Sequence, residues 1–319
     1  MNAVIAVNNQ CNLRCKMCDI GQHVEGSGMH NNWLTQRELS PKEWLELLGG
    51  LKVDHVHVQG VEPLLYEYID ELLALLSRTM SVWLTTNGWF LSRHVATVGS
   101  CCDNLAVSLD GATANVHDAI RGVPGSFDRA VTGIKAVRAT WPKVKVRTSF
   151  AITPDNYRDI TKFSGILCRE LGVVAVFNHY NYIHPRSCVG YSCMPANMAV
   201  YDPASIDVEE LHRQISACGS NCSFMPQLTS VDMLRRYYCE PPTETIPGRS
   251  CGLLKRAVAG TRRSIAADGS FMIAGRCWVD AACKGTWEDR LKQALLMLEG
   301  GLPAPCQRLC CAGLTVQGR

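Results

Sequence analysis

The sequence predicts an α/β fold, a partial (β/α)6 TIM-like barrel followed by a small, cysteine-rich C-terminal domain. Two observations lead to this prediction. Apolar, strand-like runs alternate with helix-period segments up to about residue 183, and six cysteines are crowded into residues 251–319. Repeated βα units imply parallel strands with helices outside them. We therefore expect the functional residues at the carboxyl ends of the strands, where sites in such folds gather.

Six short apolar runs are predicted as the strands of this barrel, because their lengths and their β-branched and aromatic residues suit strands. The first strand ends directly before a loop that contains three cysteines. The six runs cover residues 3–8, 55–60, 82–88, 104–111, 144–153 and 173–183.

The helices predicted between these strands carry helical start signals and apolar faces. Ser40, Pro41 and Glu43 combine a capping-box spacing with a proline at the first helical position. Further helical patterns occupy residues 66–78 and 127–139. In the second pattern one face is apolar, and it consists of Phe127, Ala130, Val131, Ile134 and Val137.

The remainder of the chain divides into two segments in this prediction. The barrel occupies residues 1–184, and an irregular linker that covers the substrate follows at residues 185–250. Residues 251–319 form a module that is too small to be held together by apolar burial alone. Its six cysteines would therefore hold it, and they are Cys251, Cys277, Cys283, Cys306, Cys310 and Cys311.

Composition narrows the possible functions. The chain has 319 residues, a net charge of +3 and no basic run, which offers little electrostatic basis for binding nucleic acid or an anionic membrane. It has no signal-peptide pattern and no long uncharged apolar stretch, so we expect a soluble cytoplasmic protein. A reducing cytosol seldom keeps disulfides, so the 17 cysteines indicate metal or redox chemistry.

The loop after the first strand carries the most informative motif, Cys11, Cys15 and Cys18 in a C-x3-C-x2-C spacing without a fourth cysteine nearby. A structural zinc site normally uses four ligands, so three thiols fit it poorly. Three thiolates can instead hold a [4Fe-4S] cluster and leave one iron without a protein ligand. That iron is then free to bind a substrate or a cofactor.

With this motif the sequence resembles the radical S-adenosylmethionine (SAM) enzymes. The resemblance implies that the open iron chelates the amino and carboxylate groups of SAM. It also implies that an electron from the cluster, supplied by a donor such as flavodoxin or ferredoxin, cleaves SAM. The resulting 5′-deoxyadenosyl radical then removes hydrogen from unactivated C–H bonds.

Further segments of the sequence resemble the SAM-binding motifs of that family. Residues 59–63, QGVEP, are similar to its GGEP motif, in which Glu62 would accept the SAM amino group beside Gly60. TTNG and SLDG match segments that line the SAM site, and a later arginine would face the SAM carboxylate. Met17 stands where many members have an aromatic residue. These matches imply SAM-binding roles for Met17, Gly60, Glu62, Asn87, Ser108, Asp110 and Arg121.

The C-terminal module resembles the SPASM and twitch domains that carry auxiliary iron–sulphur clusters. The matching features are Cys251, the Ile-x-x-Asp-Gly hairpin that begins at Ile265, and Cys277. The resemblance implies an auxiliary [4Fe-4S] cluster held by Cys251, Cys277, Cys306 and Cys310. The roles of Cys283 and Cys311 stay open, and structural zinc is the alternative for this module.

Substrate contacts are predicted at the end of the last strand and in the irregular segment. His179, Tyr180 and Tyr182 combine hydrogen-bonding groups with ring faces, which suits a polyhydroxylated or amino substrate. A cysteine of the irregular segment could give a hydrogen atom to a carbon radical, because thiol S–H bonds are weak. Cys239 is the candidate donor.

These features favour a small polar substrate, and the main hypothesis is an epimerase of an aminoglycoside or a related sugar natural product. The cysteine triplet begins ten residues after the start, so we expect no N-terminal peptide-recognition domain. The alternatives are a dehydrogenase that uses the auxiliary cluster as electron acceptor, and a maturase of a ribosomally made peptide. A zinc-stabilised binding protein without catalysis is the hypothesis from another class.

Overall fold

The computed structural model describes residues 1–18, 37–179, 205–219, 222–225, 227–228, 230–239, 262–265 and 271–272. These residues form one open, nine-stranded sheet with helices between its strands. The strands are β1 Asn2–Ala6, β2 His55–Gln59, β3 Ser81–Thr86, β4 Asn104–Ser108, β5 Lys145–Ile152, β6 Val174–His179, β7 Cys222–Met225, β8 Arg262–Ile265 and β9 Phe271–Met272.

The order of the strands in the sheet is β7-β6-β5-β4-β3-β2-β1-β8-β9. All neighbouring strands are parallel except β8 and β9, which form an antiparallel hairpin. Because strands β1 to β8 run in the same direction, their carboxyl ends meet at one edge of the sheet. This edge is where the loops that follow β1 to β4 come together.

Eight helices are described besides short 3-10 turns. Their bounds are α1 Pro41–Gly50, α2 Ile69–Leu76, α3 Val95–Cys101, α4 Ala114–Arg121, α5 Ser126–Thr140, α6 at 160–171, α7 Val208–Ser216 and α8 Val231–Tyr238. The capping box predicted at the start of α1 is confirmed, since the Ser40 hydroxyl accepts from the Glu43 backbone N–H and the Glu43 carboxylate from the Ser40 N–H. A π-helical turn, Phe163–Leu167, lies inside α6.

The two faces of the sheet differ in their burial. Strand β5 shows this clearly, because Val146 and Phe150 are buried while Arg147 and Ser149, which alternate with them, are only half-buried. Sequential parallel strands joined by right-handed crossovers place their helices on the same side of a sheet. The buried side chains therefore face the helices, and we call the opposite side the inner face.

The structure confirms the predicted α/β fold and all six predicted strands. It also adds elements that the sequence analysis did not find. The stretch predicted to be irregular contains α7, β7 and α8, and β7 extends the parallel sheet beyond β6. The hairpin predicted at Ile265 is present as β8 and β9, and β8 pairs with β1 of the main sheet. The division of the chain at residue 251 stays a prediction.

None of the described helices is both long enough and apolar enough to cross a membrane.

Candidate active site

The three cysteines of the C-x3-C-x2-C motif lie in the loop that follows β1, and the end of α4 holds this loop. The backbone N–H of Arg14 donates to the carbonyl oxygen of Arg121 at 3.0 Å, and that of Lys16 donates to the carbonyl oxygen of Ile120 at 2.9 Å. Cys15 is buried, whereas Cys11 and Cys18 are half-buried, and none of the three is in a disulfide.

Burial keeps two of these thiols protonated in the absence of a metal. It raises the pKa of Cys15 to about 12 despite the nearby Arg121 guanidinium, and it also raises the pKa of Cys11. Within the described residues, no three Cys, His, Asp or Glu side chains converge closely enough to hold a metal ion. The three sulfurs thus do not converge on one point, as a mononuclear site would require.

Glu62 and Asn87 connect the loop after β2 and the end of β3 to this cysteine loop. One carboxylate oxygen of Glu62 accepts from the Thr86 hydroxyl at 2.6 Å and from the Leu64 N–H at 3.0 Å, and the other accepts from the Asn87 N–H at 2.7 Å. Burial raises the pKa of Glu62, and these hydrogen bonds oppose that shift. The Asn87 side-chain amide then reaches the Sγ of Cys11 at 3.9 Å.

Asp110 and Arg121 form a second connection, from the loop after β4 and the end of α4. The Nε of Arg121 lies 2.5 Å from one carboxylate oxygen of the fully buried Asp110, and the other oxygen accepts from the Ala151 N–H at 2.7 Å. Burial opposes the charge of Arg121, but Asp110 and Cys15 raise its pKa. An Nη of Arg121 donates to the Sγ of Cys15 at 3.8 Å.

His117 supports the Asp110 loop from α4. Its Nδ1 accepts a hydrogen bond from the backbone N–H of Asp110 at 3.0 Å, so the ring is neutral and protonated on Nε2. The side chain is fully buried, and burial lowers the pKa of His117 to about 4. Because the imidazole of His117 is neutral, it places no second positive charge beside Arg121.

Two asparagines beside the cysteines carry polar atoms that lack partners among the described residues. The Nδ2 of Asn8 donates to the Glu62 carbonyl oxygen at 2.6 Å, and its buried Oδ1 has no donor within this part of the chain. The Oδ1 of Asn12 accepts from Asn87, and its buried Nδ2 has no acceptor there. Buried polar atoms are normally paired, so this pair suits a ligand that brings both an ammonium and a carboxylate.

Gly60 lies against one of these atoms. A Cβ at this position would come within 2.9 Å of the Oδ1 of Asn8 and within 3.3 Å of the Val7 backbone nitrogen. A side chain there would therefore cover the acceptor. Glycine leaves the loop after β2 close to the end of β1, with the Asn8 oxygen accessible.

The comparisons with known proteins agree with this geometry. The Radical SAM superfamily matches residues 5–163, which contain the cysteine loop, Glu62, Asn87, Asp110 and Arg121. These residues form a radical SAM domain. The remainder of the chain lies outside the match.

Curated relatives match the same part of the chain. The AdoMet-dependent heme synthase of Methanosarcina barkeri is 30% identical over 168 residues, which cover 52% of this chain and 46% of the relative. The pre-heme d1 synthase of Dinoroseobacter shibae is 33% identical, and the match covers 52% of this chain and 40% of the relative. The mycofactocin maturase MftC of Mycobacterium tuberculosis (strain H37Rv) is 32% identical, and the match covers 50% of this chain and 39% of the relative. The matches thus span less than half of each relative.

Solved structures share the fold at low sequence identity. SuiB from Streptococcus suis bound to the precursor peptide SuiA superposes with a TM-score of 0.62 at 18% identity, and covers 93% of this chain and 64% of SuiB. Native anSMEcpe with bound AdoMet and the Cp18Cys peptide gives a TM-score of 0.57 at 14% identity, with 92% of this chain and 79% of that chain covered. These likenesses show the fold alone.

The radical SAM family implies a [4Fe-4S] cluster and SAM, and the residues of this domain fit both. Cysteine thiols are the ligands that iron–sulphur clusters use, and three of them stand in one loop without being in a disulfide. Two have an N–H donor at the sulfur. The unpartnered atoms of Asn8 and Asn12 provide an acceptor for the SAM ammonium and a donor for its carboxylate.

The structure brings most of the predicted cofactor residues together at one edge of the sheet, although their roles stay predictions. Glu62 and Asn87 contact each other, as do Asp110 and Arg121, and each pair reaches one of the cysteines. Three further predicted residues are half-buried. Met17 is in the cysteine loop, Gly60 follows β2, and Ser108 ends β4.

The predicted substrate residues are not gathered at this edge of the sheet within the described part of the chain. His179 lies on the helix-facing side of β6, where it is buried and its Nδ1 is 2.7 Å from the Tyr238 hydroxyl. Its side chain therefore does not belong to the inner face, because alternation along the strand gives that position to Asn178. Cys239 ends α8 with an exposed side chain. The other predicted substrate and auxiliary-cluster residues lie outside the described residues, namely Tyr180, Tyr182, Cys251, Cys277, Cys306 and Cys310.

Sequence reasoning missed a polar group on the inner face. The Arg147 guanidinium stacks over the Trp83 ring, 4.3 Å from its centroid, and the His57 Nε2 lies 2.6 Å from the Thr85 hydroxyl. Burial lowers the pKa of Arg147, and no carboxylate of the described residues pairs with it. The sequence signal for this group was the alternation of polar and apolar side chains along the strands, which is complete in β2, HVHVQ.

The other missed residues are Asn8, Asn12 and His117. Asn8 and Asn12 flank the first cysteine in the sequence, where a polar residue after an apolar strand is common at the start of a loop. His117 lies between two predicted site residues, Asp110 and Arg121. Its burial and the contact of its ring with the Asp110 N–H distinguish it from a surface histidine of a helix, and both depend on the tertiary structure.

Proposed function

We propose that this chain is a radical SAM enzyme that modifies a peptide substrate. The observation that carries the enzymatic part is the arrangement of Cys11, Cys15 and Cys18 in one loop, with side chains from the end of β3 and from the end of α4 reaching two of the sulfurs. When bound, the cluster and SAM supply a one-electron cleavage of SAM and removal of hydrogen from a C–H bond. A reduced flavodoxin or ferredoxin is the proposed electron donor.

The residues of the domain take separate roles in this proposal. The three cysteines ligate the cluster, and the SAM amino group is held by Glu62 together with the Oδ1 of Asn8. The SAM carboxylate is bound by Arg121 and by the Nδ2 of Asn12. The remaining predicted contacts, from Met17, Ser108 and Asp110, line the same edge of the sheet.

The support for a peptide comes from the relatives. One curated relative is a maturase, MftC, and two solved structures of the same fold were obtained with peptides, SuiB with SuiA and anSMEcpe with Cp18Cys. The heme synthases show that closely matched domains also occur in enzymes named for a different product. None of the relatives named above is an aminoglycoside enzyme by its name, and the peptide alternative replaces the epimerase and dehydrogenase hypotheses as the main proposal.

The C-terminal cysteines enter this proposal as ligands of an auxiliary cluster. Cys251, Cys277, Cys306 and Cys310 would hold one [4Fe-4S] cluster, and Cys239 stays the candidate hydrogen donor. Iron and sulfide analysis tests the cluster count. Loss of four irons in a variant with all four cysteines changed to alanine would support the auxiliary cluster, and an unchanged iron content would reject it.

The enzymatic proposal is tested with anaerobically reconstituted protein, SAM and a reductant. The wild-type protein should release 5′-deoxyadenosine, and the variant with Cys11, Cys15 and Cys18 changed to alanine should release none. A wild-type protein that holds iron but never cleaves SAM would contradict the proposal. Retained cleavage in the triple variant would contradict the assignment of the ligands.

The substrate class needs a second assay. Panels of peptides and of aminoglycosides are compared for stimulation of 5′-deoxyadenosine release above the rate with SAM alone, and products are weighed by mass spectrometry in deuterated solvent. We expect stimulation and a mass change with a peptide. Stimulation by an aminoglycoside alone would return the epimerase or dehydrogenase hypothesis, which one solvent deuterium or a loss of two hydrogens would distinguish.

A further inference from the structure

Two of the three cysteine sulfurs each receive one side-chain N–H donor from a distant part of the chain. The Asn87 amide is 3.9 Å from the Sγ of Cys11, and the Arg121 guanidinium is 3.8 Å from the Sγ of Cys15. Both distances are within the range for hydrogen bonds to sulfur. The donors differ in charge, because the asparagine amide is neutral and the guanidinium is cationic.

Contacts on their other sides hold both donors in place. The backbone N–H of Asn87 is fixed by the Glu62 carboxylate, and its Oδ1 accepts from the Trp89 N–H at 2.9 Å. Arg121 is held by Asp110, whose second oxygen is occupied by the Ala151 N–H. The two donors are thus oriented toward sulfur by the protein itself, without any contribution from a bound ligand.

Such donors affect the electron affinity of an iron–sulphur cluster. Reduction adds negative charge that spreads onto the cysteine sulfurs, and hydrogen bonds or positive charge beside those sulfurs stabilise the reduced form. The effect is larger where water is excluded, and Cys15 is buried. We propose that Asn87 and Arg121 act as positioning residues that raise the reduction potential of the SAM-binding cluster, with Arg121 making the larger contribution.

This inference rests on the proposed cluster but goes beyond cofactor binding. Arg121 was assigned to the SAM carboxylate, and the structure adds a contact with Cys15 that exists without SAM. The donor pair would ease transfer of the first electron from flavodoxin or ferredoxin to the cluster. The cleavage of SAM would then draw on a cluster that is less strongly reducing than one without these donors.

The test is a redox titration of the reconstituted full chain, followed by electron paramagnetic resonance and performed without SAM or substrate. Wild type is compared with Arg121→Met, Arg121→Lys and Asn87→Leu, each with its iron content measured. We expect Arg121→Met to shift the reduction equilibrium at least tenfold toward the oxidised form, which corresponds to about 59 mV for a one-electron couple. Asn87→Leu and the charge-conserving Arg121→Lys should give smaller shifts in the same direction.

Arg14→Gln is the matched control. Arg14 lies in the same cysteine loop, but its guanidinium donates to the carbonyl oxygens of Leu13 and Cys11 and to neither sulfur, and its side chain is exposed. Its removal should leave the potential near that of wild type. A shift as large as that of Arg121→Met would overturn the inference, because any nearby positive charge would then suffice.

Two other outcomes also decide the question. Potentials of Arg121→Met and Asn87→Leu that equal or exceed the wild-type potential would overturn it. Should Arg121→Met fail to hold a cluster, unchanged potentials in both Arg121→Lys and Asn87→Leu would overturn it as well. Failure of the proposed function is detected by a separate measurement. In that case the wild-type protein would have a reducible cluster with a measurable potential but would not cleave SAM.

Discussion

Gly122 lies directly against the backbone of Arg14, so the end of α4 is in contact with the cysteine loop. Gly122 ends α4 in the left-handed conformation with φ of 72°, and a Cβ on it would clash with the Arg14 carbonyl oxygen. The preceding residue accepts the Arg14 N–H. The position of Cys11 and Cys15 thus depends on a glycine more than 100 residues away in sequence.

Gly122→Ala is therefore expected to displace the cysteine loop and lower the iron bound after reconstitution. The left-handed conformation alone costs a non-glycine residue about 1–2 kcal/mol, and the clash with the Arg14 oxygen adds to it. Iron content and urea unfolding of the reconstituted protein measure both effects.

Gly125→Ala provides the control for this prediction. Gly125 also has a positive φ, 82°, but no atom lies within 4 Å of an added Cβ. Its alanine variant should lose stability through backbone strain and keep its iron. Equal iron contents in the two variants would show that the contact with Arg14 does not position the loop.

Asn8→Leu is expected to weaken SAM binding to the reconstituted protein. The substitution removes the buried Oδ1 that has no donor among the described residues and that we assign to the SAM ammonium. A hydrogen bond to a charged group contributes about 1.5–3 kcal/mol, so the dissociation constant should rise roughly 10- to 100-fold. Equilibrium dialysis with SAM measures this dissociation constant.

Asn104→Leu is the control, because Asn104 lies at the opposite edge of the sheet, where β4 begins, and this variant should bind SAM as wild type does. An unchanged constant in Asn8→Leu would remove Asn8 from the site.

Arg147→Met is expected to raise the KM for an acidic peptide substrate and to leave 5′-deoxyadenosine release without substrate unchanged. The half-buried Arg147 guanidinium has no carboxylate partner among the described residues, and it lies on the inner face of the sheet. Steady-state kinetics with peptides that carry glutamate or glutamine at one position test this. Arg129, on α5, carries a comparable guanidinium that stacks 4.4 Å from the centroid of the Trp89 ring. The control variant Arg129→Met should have the wild-type KM. Equal KM values for both peptides with wild type would contradict a carboxylate contact.

His117 is expected to make the fold less stable as the pH falls from about 6.5 to about 4. Burial lowers its pKa in the folded state to about 4, whereas an unfolded histidine has a pKa of about 6.5. The unfolded state therefore binds more protons in this window, and up to about 3 kcal/mol of stability is lost across it. Above pH 6.5 the contribution is constant.

Urea unfolding between pH 4 and pH 7 checks this dependence. His117→Gln should be less stable at neutral pH and should show a flatter decline toward acid than wild type. His55→Gln, which replaces an exposed histidine at the start of β2, should keep the wild-type slope. A wild-type slope in His117→Gln would show that the acid sensitivity has another origin.

The local elements could be predicted because their signals lie within a few residues of one another. The strand at 104–108 is an apolar run that needs no partner to be recognised, and the Ser40 capping box is complete within one helical turn. The short segment from Cys11 to Cys18 likewise specifies its chemistry through spacing and residue type. Such features reflect intrinsic backbone and side-chain preferences, which act before any tertiary contact forms.

What the tertiary structure alone decided is which side chains face one another. Arg121 reaches Cys15 across 106 positions of sequence, and Asn87 reaches Cys11 across 76. β8 pairs with β1 although more than 250 residues separate them in the chain. The side chain of His179 faces the helices and not the inner face, because side chains alternate between the two sides of a strand. Only the paired register of the whole sheet determines which side each residue takes.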